Sequence, residues 1–294
     1  MNTLKSFYEP RATANSNGCL GENGIAAFFD LDGTLLPLPS LEKRFFQNLR
    51  DRRRISVANY WVWLVEAARL LPRGINQILK GNKMYLRGVN VNEARAQRDE
   101  WQRARKQEAA RGASPGSFAF YSEALERLAC HAKHGHAILI VSGTLLPLAM
   151  EVAAALGAHV ALSGIQTAIG VYGTRLESRA GKWTGRIAGE ALFGEAKRRA
   201  IEQIAASRRF DLEKCFAYGD STNDRGMLES VGRPAAVNPS HDLARIALRN
   251  GWPILRWNDV RNLTQSSPDT SERHRTKAAA TSLLPAQSKS GNCS

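Results

Sequence analysis

The sequence predicts an α/β fold, a doubly wound parallel sheet with an α-helical cap domain inserted after its first strand. Three observations predict it. Strand-like runs at Ile25–Phe29, Ala137–Val141 and Lys214–Tyr218 alternate with helical patterns, the order of a parallel sheet covered by helices on both faces. Each run leads into polar residues, at the strand ends where open α/β sheets bind ligands. A long segment from Leu41 to about Gly112 has helical spacing and no strand signal.

Composition narrows the class. Hydrophobic residues make up 43% and charged residues 23% of 294, which suits a globular chain with a buried core. The net charge of +14 favours anionic partners without choosing among phosphorylated substrates, nucleic acid and acidic membranes. Cys19, Cys130, Cys215 and Cys293 are scattered without metal-ligand spacing, so free thiols are expected. Residues 1–23 show no secretory pattern and are expected to form a flexible arm. The longest near-apolar stretch, Tyr60–Leu71, is interrupted by Glu66 and Arg69 and is too short to span a bilayer. A cytoplasmic protein is expected.

The first strand ends at Asp30. Alternate strand residues share a face, so Asp30 and Asp32 flank one point, and Gly33 lets the chain turn away. A calcium loop is excluded because Leu41 stands where its closing Glu belongs. An ordinary acidic turn is the bland alternative. Pro37 and Pro39 make a stiff connector up to Ser40. The cap, 41–112, follows, with Phe45-Phe46, Tyr60-Trp61, Trp63-Leu64 and Ile78-Leu79 at helical spacings and breaks at Pro72 and Gly74. It holds 17 Lys and Arg against 7 Asp and Glu, a net +10. A solvated outer face is preferred over a dedicated patch for this charge. For Tyr60–Leu64, packing inside the cap is preferred over a lipid-facing surface. Arg52–Arg54 accompany no nucleic-acid motif, so no specific nucleic acid is expected.

Ser114-Pro115-Gly116 marks the return to the core. A helix over Tyr121–His131 precedes the second strand; another over Leu145–Leu156 stops at Gly157. His159–Leu162 reads as a third strand and residues 165–188 as a hairpin. Glu195–Ser207 is helical, a further helix passes Met227-Leu228, and Pro234–Asn238 and Pro253–Trp257 read as closing strands. The core is thus 24–40 and 113–258, and 259–294 is read as a disordered tail.

Three strand ends now converge. They carry Asp30 and Asp32, then Ser142, Gly143 and Thr144, then Asp220 and Asp224, and Lys197 heads the helix before the last of them. Clustered carboxylates repel one another unless a cation joins them, and hard oxygens suit Mg2+. The Ser142 hydroxyl and the Gly143 amide at a helix N-terminus suit phosphate oxygens, and Lys197 adds a fixed positive charge. Singly, these features read as a helix cap, a surface lysine and a strand-to-helix turn; their coincidence in order carries the site. His131, His134 and His136 lack the spacing of a zinc site and read as a polar helix end.

With Asp30-Leu31-Asp32-Gly33-Thr34, Ile140-Val141-Ser142-Gly143-Thr144, Lys197 and Gly219-Asp220-Ser221-Thr222-Asn223-Asp224, the chain resembles the haloacid-dehalogenase-like phosphatases, in their phosphoserine-phosphatase-like branch. The resemblance covers residues 25–257. It implies a Rossmann-like core and a helical cap. It also implies catalysis by Asp30 as nucleophile, Asp32 as acid and base, and Lys197. It implies phosphate binding by Ser142, Gly143 and Lys197. Mg2+ would be held by Asp30, the Asp32 carbonyl and Asp220, with Asp224 on its water shell or orienting Lys197. Thr144 departs from the Gly common in phosphoserine phosphatases, and no serine-recognising Glu and Arg pair is apparent in the cap. The expected partner is a small phosphomonoester, phosphoserine-like or of lysophospholipid type. The alternative is a non-catalytic anion- or nucleic-acid-binding protein on a phosphatase fold. Oligomeric state is not legible.

Overall fold

The sheet is built outward from Ala26–Phe29 (β1), whose four residues are all buried. The computed structural model describes residues 24–262 apart from 76, 95, 97–117, 163 and 166. The chain enters an insertion of Leu41–Asp51 (α1), Val57–Leu70 (α2) and short turns, then Ala119–Tyr121 (β2) and Ser122–Lys133 (α3). Ala137–Leu145 (β3), Leu146–Leu162 (α4) and Ile169–Thr174 (β4) follow. A hairpin of Leu176–Arg179 (β5) and Lys182–Ile187 (β6) leads to Glu195–Arg208 (α5). Phe216–Gly219 (β7), Arg225–Glu229 (α6), Arg233–Val237 (β8), His241–Asn250 (α7), Ile254–Leu255 (β9) and Val260–Asn262 (β10) complete it.

Six strands pair in the order β4-β3-β1-β7-β8-β9, all parallel. Alternation along β1 explains the two layers. Ala27 and Phe29 join one buried cluster with α3 and α4; Ala26 and Phe28 join the other with α5, α6 and α7. The chain runs from β1 to β3 and β4 on one side and later to β7 on the other. The switch point, where a crevice opens, is therefore at β1.

Several sequence expectations change. The helix read as ending at Gly157 runs to Leu162, and the strand read at His159–Leu162 is its last turn. Val152, Leu156 and Val160 are buried at a spacing of four, so the helical face continues past the glycine. Residues 165–188 hold more than a hairpin, because β4 joins the main sheet beside β3. The hairpin then extends the insertion: Trp183 N–H donates to Val89 O at 2.9 Å and Gly88 N–H to Trp183 O at 2.8 Å. The segment read as a tail from 259 begins with order. β10 pairs antiparallel with β2, and Ser122 Oγ donates to Asp259 Oδ2 at 2.6 Å. Trp61 is 68% exposed, so Tyr60–Leu64 does not pack wholly inside the cap. Cys215 is free and buried, and Cys19 and Cys293 lie outside the described residues. The arm 1–23, the end of the expected cap from 97 to 112, the return at Ser114-Pro115-Gly116 and the tail from 263 lie outside the described residues. Among the described residues, no helix is long and apolar enough to cross a membrane.

Candidate active site

The strand ends bring every expected site residue to one cavity of about 740 Å³. Asp30 follows β1 directly, and its N–H donates to Tyr218 O at 2.9 Å, which holds it in line with β7. The chain then folds back tightly. Gly33 N–H donates to Leu36 O at 2.7 Å, and Gly33 has φ +88°, where a side chain is strained. A Cβ there would also lie 2.3 Å from Asp220 Oδ2, so glycine is what lets Asp220 approach the loop.

Lys197, in the first turn of α5, is buried and bridges two acids. Its Nζ donates to Asp30 Oδ1 and to Asp224 Oδ1, each at 2.5 Å. Asp224 is further held by the N–H and the hydroxyl of Ser221, both 3.0 Å from Oδ2. The Asp32 carboxylate is held apart from this group. Oδ1 accepts from Leu41 N–H at 2.7 Å and Oδ2 from Thr144 Oγ1 at 2.5 Å. Ser142 Oγ accepts from Thr144 N–H at 3.2 Å. Ser142–Thr144 lie in the last part of β3, where its register with β4 breaks. The helix N-terminus expected at Gly143 begins only at Leu146, because β3 continues through Leu145 before α4 starts.

The electrostatics follow from three carboxylates around one ammonium. Burial, then the charge of Asp224, pushes Asp30 up to about 7 although Lys197 pulls it down. Burial, then Asp30 and Asp224, pushes Asp220 up to about 8. Burial raises Asp224 too, but Lys197 and Ser221 outweigh it and hold that carboxyl below its usual range. Burial lowers Lys197, and Asp224 and Asp30 reverse this, so it stays charged. Burial also raises Asp32, opposed by Thr144 and the Leu41 amide.

Asp30, Asp220 and Asp224 each offer an oxygen within 4.8 Å of the others. Three carboxylates against Lys197 alone leave a local excess of negative charge, so this donor set fits a hard divalent cation. The three histidines do not form such a group. His131 spends its ring nitrogens on His136 Nδ1 at 2.9 Å and Tyr218 Oη at 2.8 Å.

The insertion supplies the far wall of the cavity, including Phe46, Tyr60, Trp63, Leu79 and Lys80. Lys80 sits in the π-helical turn Gln77–Gly81 and lines the same cavity as the acids; burial lowers its ammonium, and Asp224, Asp30 and Asp220 oppose that. Sequence reasoning passed over it, since a lone lysine in a basic helical segment carries no local signal. Glu42 also lines the cavity, with its Oε1 taken up by Lys83 Nζ and, at 2.7 Å, by Tyr85 Oη.

The chain is also similar to known proteins. Residues 27–229 match the family model for haloacid dehalogenase-like hydrolases. A probable phosphatase of Mycobacterium tuberculosis is 31% identical over 83% of this chain and 79% of its own. A phosphoserine phosphatase of the same organism is 28% identical over 78% and 70%. A crystal structure of a protein of unknown function from Bordetella pertussis Tohama I has a TM-score of 0.57 at 28% identity, covering 78% of this chain and 97% of that one. The chain belongs to the haloacid dehalogenase-like hydrolases, among their phosphatases.

Proposed function

We propose that the protein is a Mg2+-dependent phosphomonoesterase that forms an aspartyl-phosphate on Asp30. The observation that supports this best is the separation of two buried carboxylates into different settings. Asp30 is paired with Lys197 at 2.5 Å; Asp32, two residues on, is held by Thr144 and the Leu41 amide instead. Such a pair suits a nucleophile and an acid–base group.

In the first step an Asp30 oxygen bonds to phosphorus, the phosphorus–oxygen bond to the leaving alcohol breaks, and Asp32 gives that oxygen its proton. In the second, Asp32 takes a proton from water as its oxygen bonds to phosphorus and the bond to Asp30 breaks. Asp32 thus returns to its starting state, a contribution of about 10²–10⁴ in rate. Lys197 draws the buried Asp30 carboxyl toward its ionised form, against burial and Asp224, and offsets phosphoryl charge. Ser142 and Gly143 hold phosphate oxygens. Asp30, the Asp32 carbonyl, Asp220 and Asp224 would hold Mg2+, which supplies charge neutralisation between two anions.

The substrate is a small phosphomonoester, phosphoserine-like or of lysophospholipid type. The aromatic wall from Phe46, Tyr60 and Trp63 supports the second of these. We place the enzyme in the cytoplasm, where such charged metabolites are held. The insertion acts as the cap that selects among substrates.

Hydrolysis of an aryl phosphate with Mg2+, with Ca2+ and with chelator tests the reading, followed by a panel of phosphorylated metabolites. Activity should need Mg2+, fall strongly with Ca2+ and vanish in Asp220→Ala. Equal rates in all three conditions would contradict it.

A further inference from the structure

Helix α2 buries Leu70 and half-buries Val62 and Trp63, yet it is apolar on its outer side as well. Its inward side carries Asn59, whose Nδ2 donates to Tyr85 O at 3.0 Å and Arg87 O at 2.8 Å, with Glu66 half-buried nearby along the same side. Its outward side is apolar. Val57, Trp61, Leu64, Val65 and Ala68 recur at the spacing of one helical face, and Val57, Trp61 and Val65 are 75%, 68% and 63% exposed. Leu71, Ile75 and Leu79, in the turns that follow the helix, are exposed as well. A contiguous apolar surface of this kind marks an interaction site rather than scattered exposure.

Two further observations choose the partner. The face runs into the cavity, because Tyr60 and Leu79 are both exposed and line it. It is bordered by cations and bears no acid. Arg53 and Arg54 precede the helix, Arg69 lies exposed at its end, paired at 3.7 Å with Glu66, and Lys80 stands inside the mouth. Arg54 has a partial partner in Glu93 at 3.4 Å. Aromatic and aliphatic side chains within a rim of arginines match the acyl boundary and the headgroups of an anionic bilayer.

We propose that the outer face of α2 and the turns after it dock on an anionic lipid bilayer and hold the cavity mouth at its surface. Resting on the phosphatase reading, the phosphomonoester is then a single-chain lipid monophosphate of that bilayer. Its phosphate passes Lys80 toward Asp30 and its chain lies along Tyr60, Trp63 and Leu79.

The test uses the full chain and vesicles of phosphatidylcholine with or without phosphatidylglycerol. Wild-type protein should sediment with the anionic vesicles, less so at high salt, and weakly with phosphatidylcholine alone. The double variant Trp61→Ser with Val65→Ser should bind on the order of tenfold more weakly, a loss of about 1.4 kcal/mol. Arg53→Glu should weaken binding to anionic vesicles only. Both variants should keep wild-type hydrolysis of a soluble aryl phosphate, while release of phosphate from a vesicle-borne single-chain lipid monophosphate slows in the double variant. Absence of wild-type binding, or equal binding by the double variant, would overturn the proposal. So would a wild-type dimer that the double variant abolishes, since a second copy would then be the occupant. A large fall in melting temperature in the double variant would also overturn it, because the face would then be covered within the chain. Vesicle binding without any aryl phosphate hydrolysis would instead remove the phosphatase reading and leave docking intact.

Discussion

The backbone N–H of Leu41 donates to Asp32 Oδ1 at 2.7 Å. The first residue of α1 is thereby tied to the proposed acid and base, and the position of the insertion is coupled to the orientation of that carboxylate. Asp32→Asn keeps the acceptor for Leu41 and loses the proton relay. Its kcat should fall by about 10²–10⁴, while an aryl phosphate with a good leaving group still phosphorylates the enzyme. Rapid-quench kinetics should show a burst followed by slow turnover. A rate near wild type would remove Asp32 from the proton transfers.

Lys197 is the ammonium between two buried carboxylates, 2.5 Å from each. Removing one member of such a group leaves charge buried without compensation. Lys197→Met should lower unfolding free energy by about 3–5 kcal/mol and abolish activity. Urea unfolding without metal measures it. A change within about 0.5 kcal/mol, the range of ordinary surface substitutions, would contradict the role given to this group.

The histidine cluster carries a pH prediction outside the site. His131 is buried against Tyr218, and burial, then His136, Arg127 and His134, pulls it down to about 3. The unfolded chain titrates near its ordinary 6.5. Between these values the unfolded state binds a proton that the folded state refuses, so stability rises with pH. The contribution is full above the unfolded value and is lost as pH falls toward the folded one. The slope from this residue reaches about 1.4 kcal/mol per pH unit. Unfolding free energies of wild type and His131→Gln across that window check it. The variant should show a flatter dependence; an identical slope would place the acid sensitivity elsewhere.

How much was legible depended on whether the signal was local. β1 was, because Ala26–Phe29 is buried on both faces and therefore reads as a continuous apolar run ending at Asp30. The convergence of Asp30, Ser142, Lys197, Asp220 and Asp224 on one cavity was legible as motif order along a parallel sheet. Gly157 misled because a glycine inside a helix resembles a stop when the buried Val160 beyond it is not weighed. β10 was hidden because its partner β2 lies far away in sequence. Trp61 and Trp63 show the same limit within one helix. Sequence groups them, and only the surroundings decide that Trp63 lines the cavity while Trp61 faces outward.

The identity of the phosphorylated residue tests the central claim most directly. Wild-type enzyme is mixed with an aryl phosphate and Mg2+, quenched in acid within one turnover, digested and examined by mass spectrometry. One phosphoryl group should be found on the peptide carrying Asp30, and Asp30→Asn should show neither that adduct nor turnover. Retained turnover in Asp30→Asn, or a phosphoryl group on any other residue, would contradict the covalent mechanism.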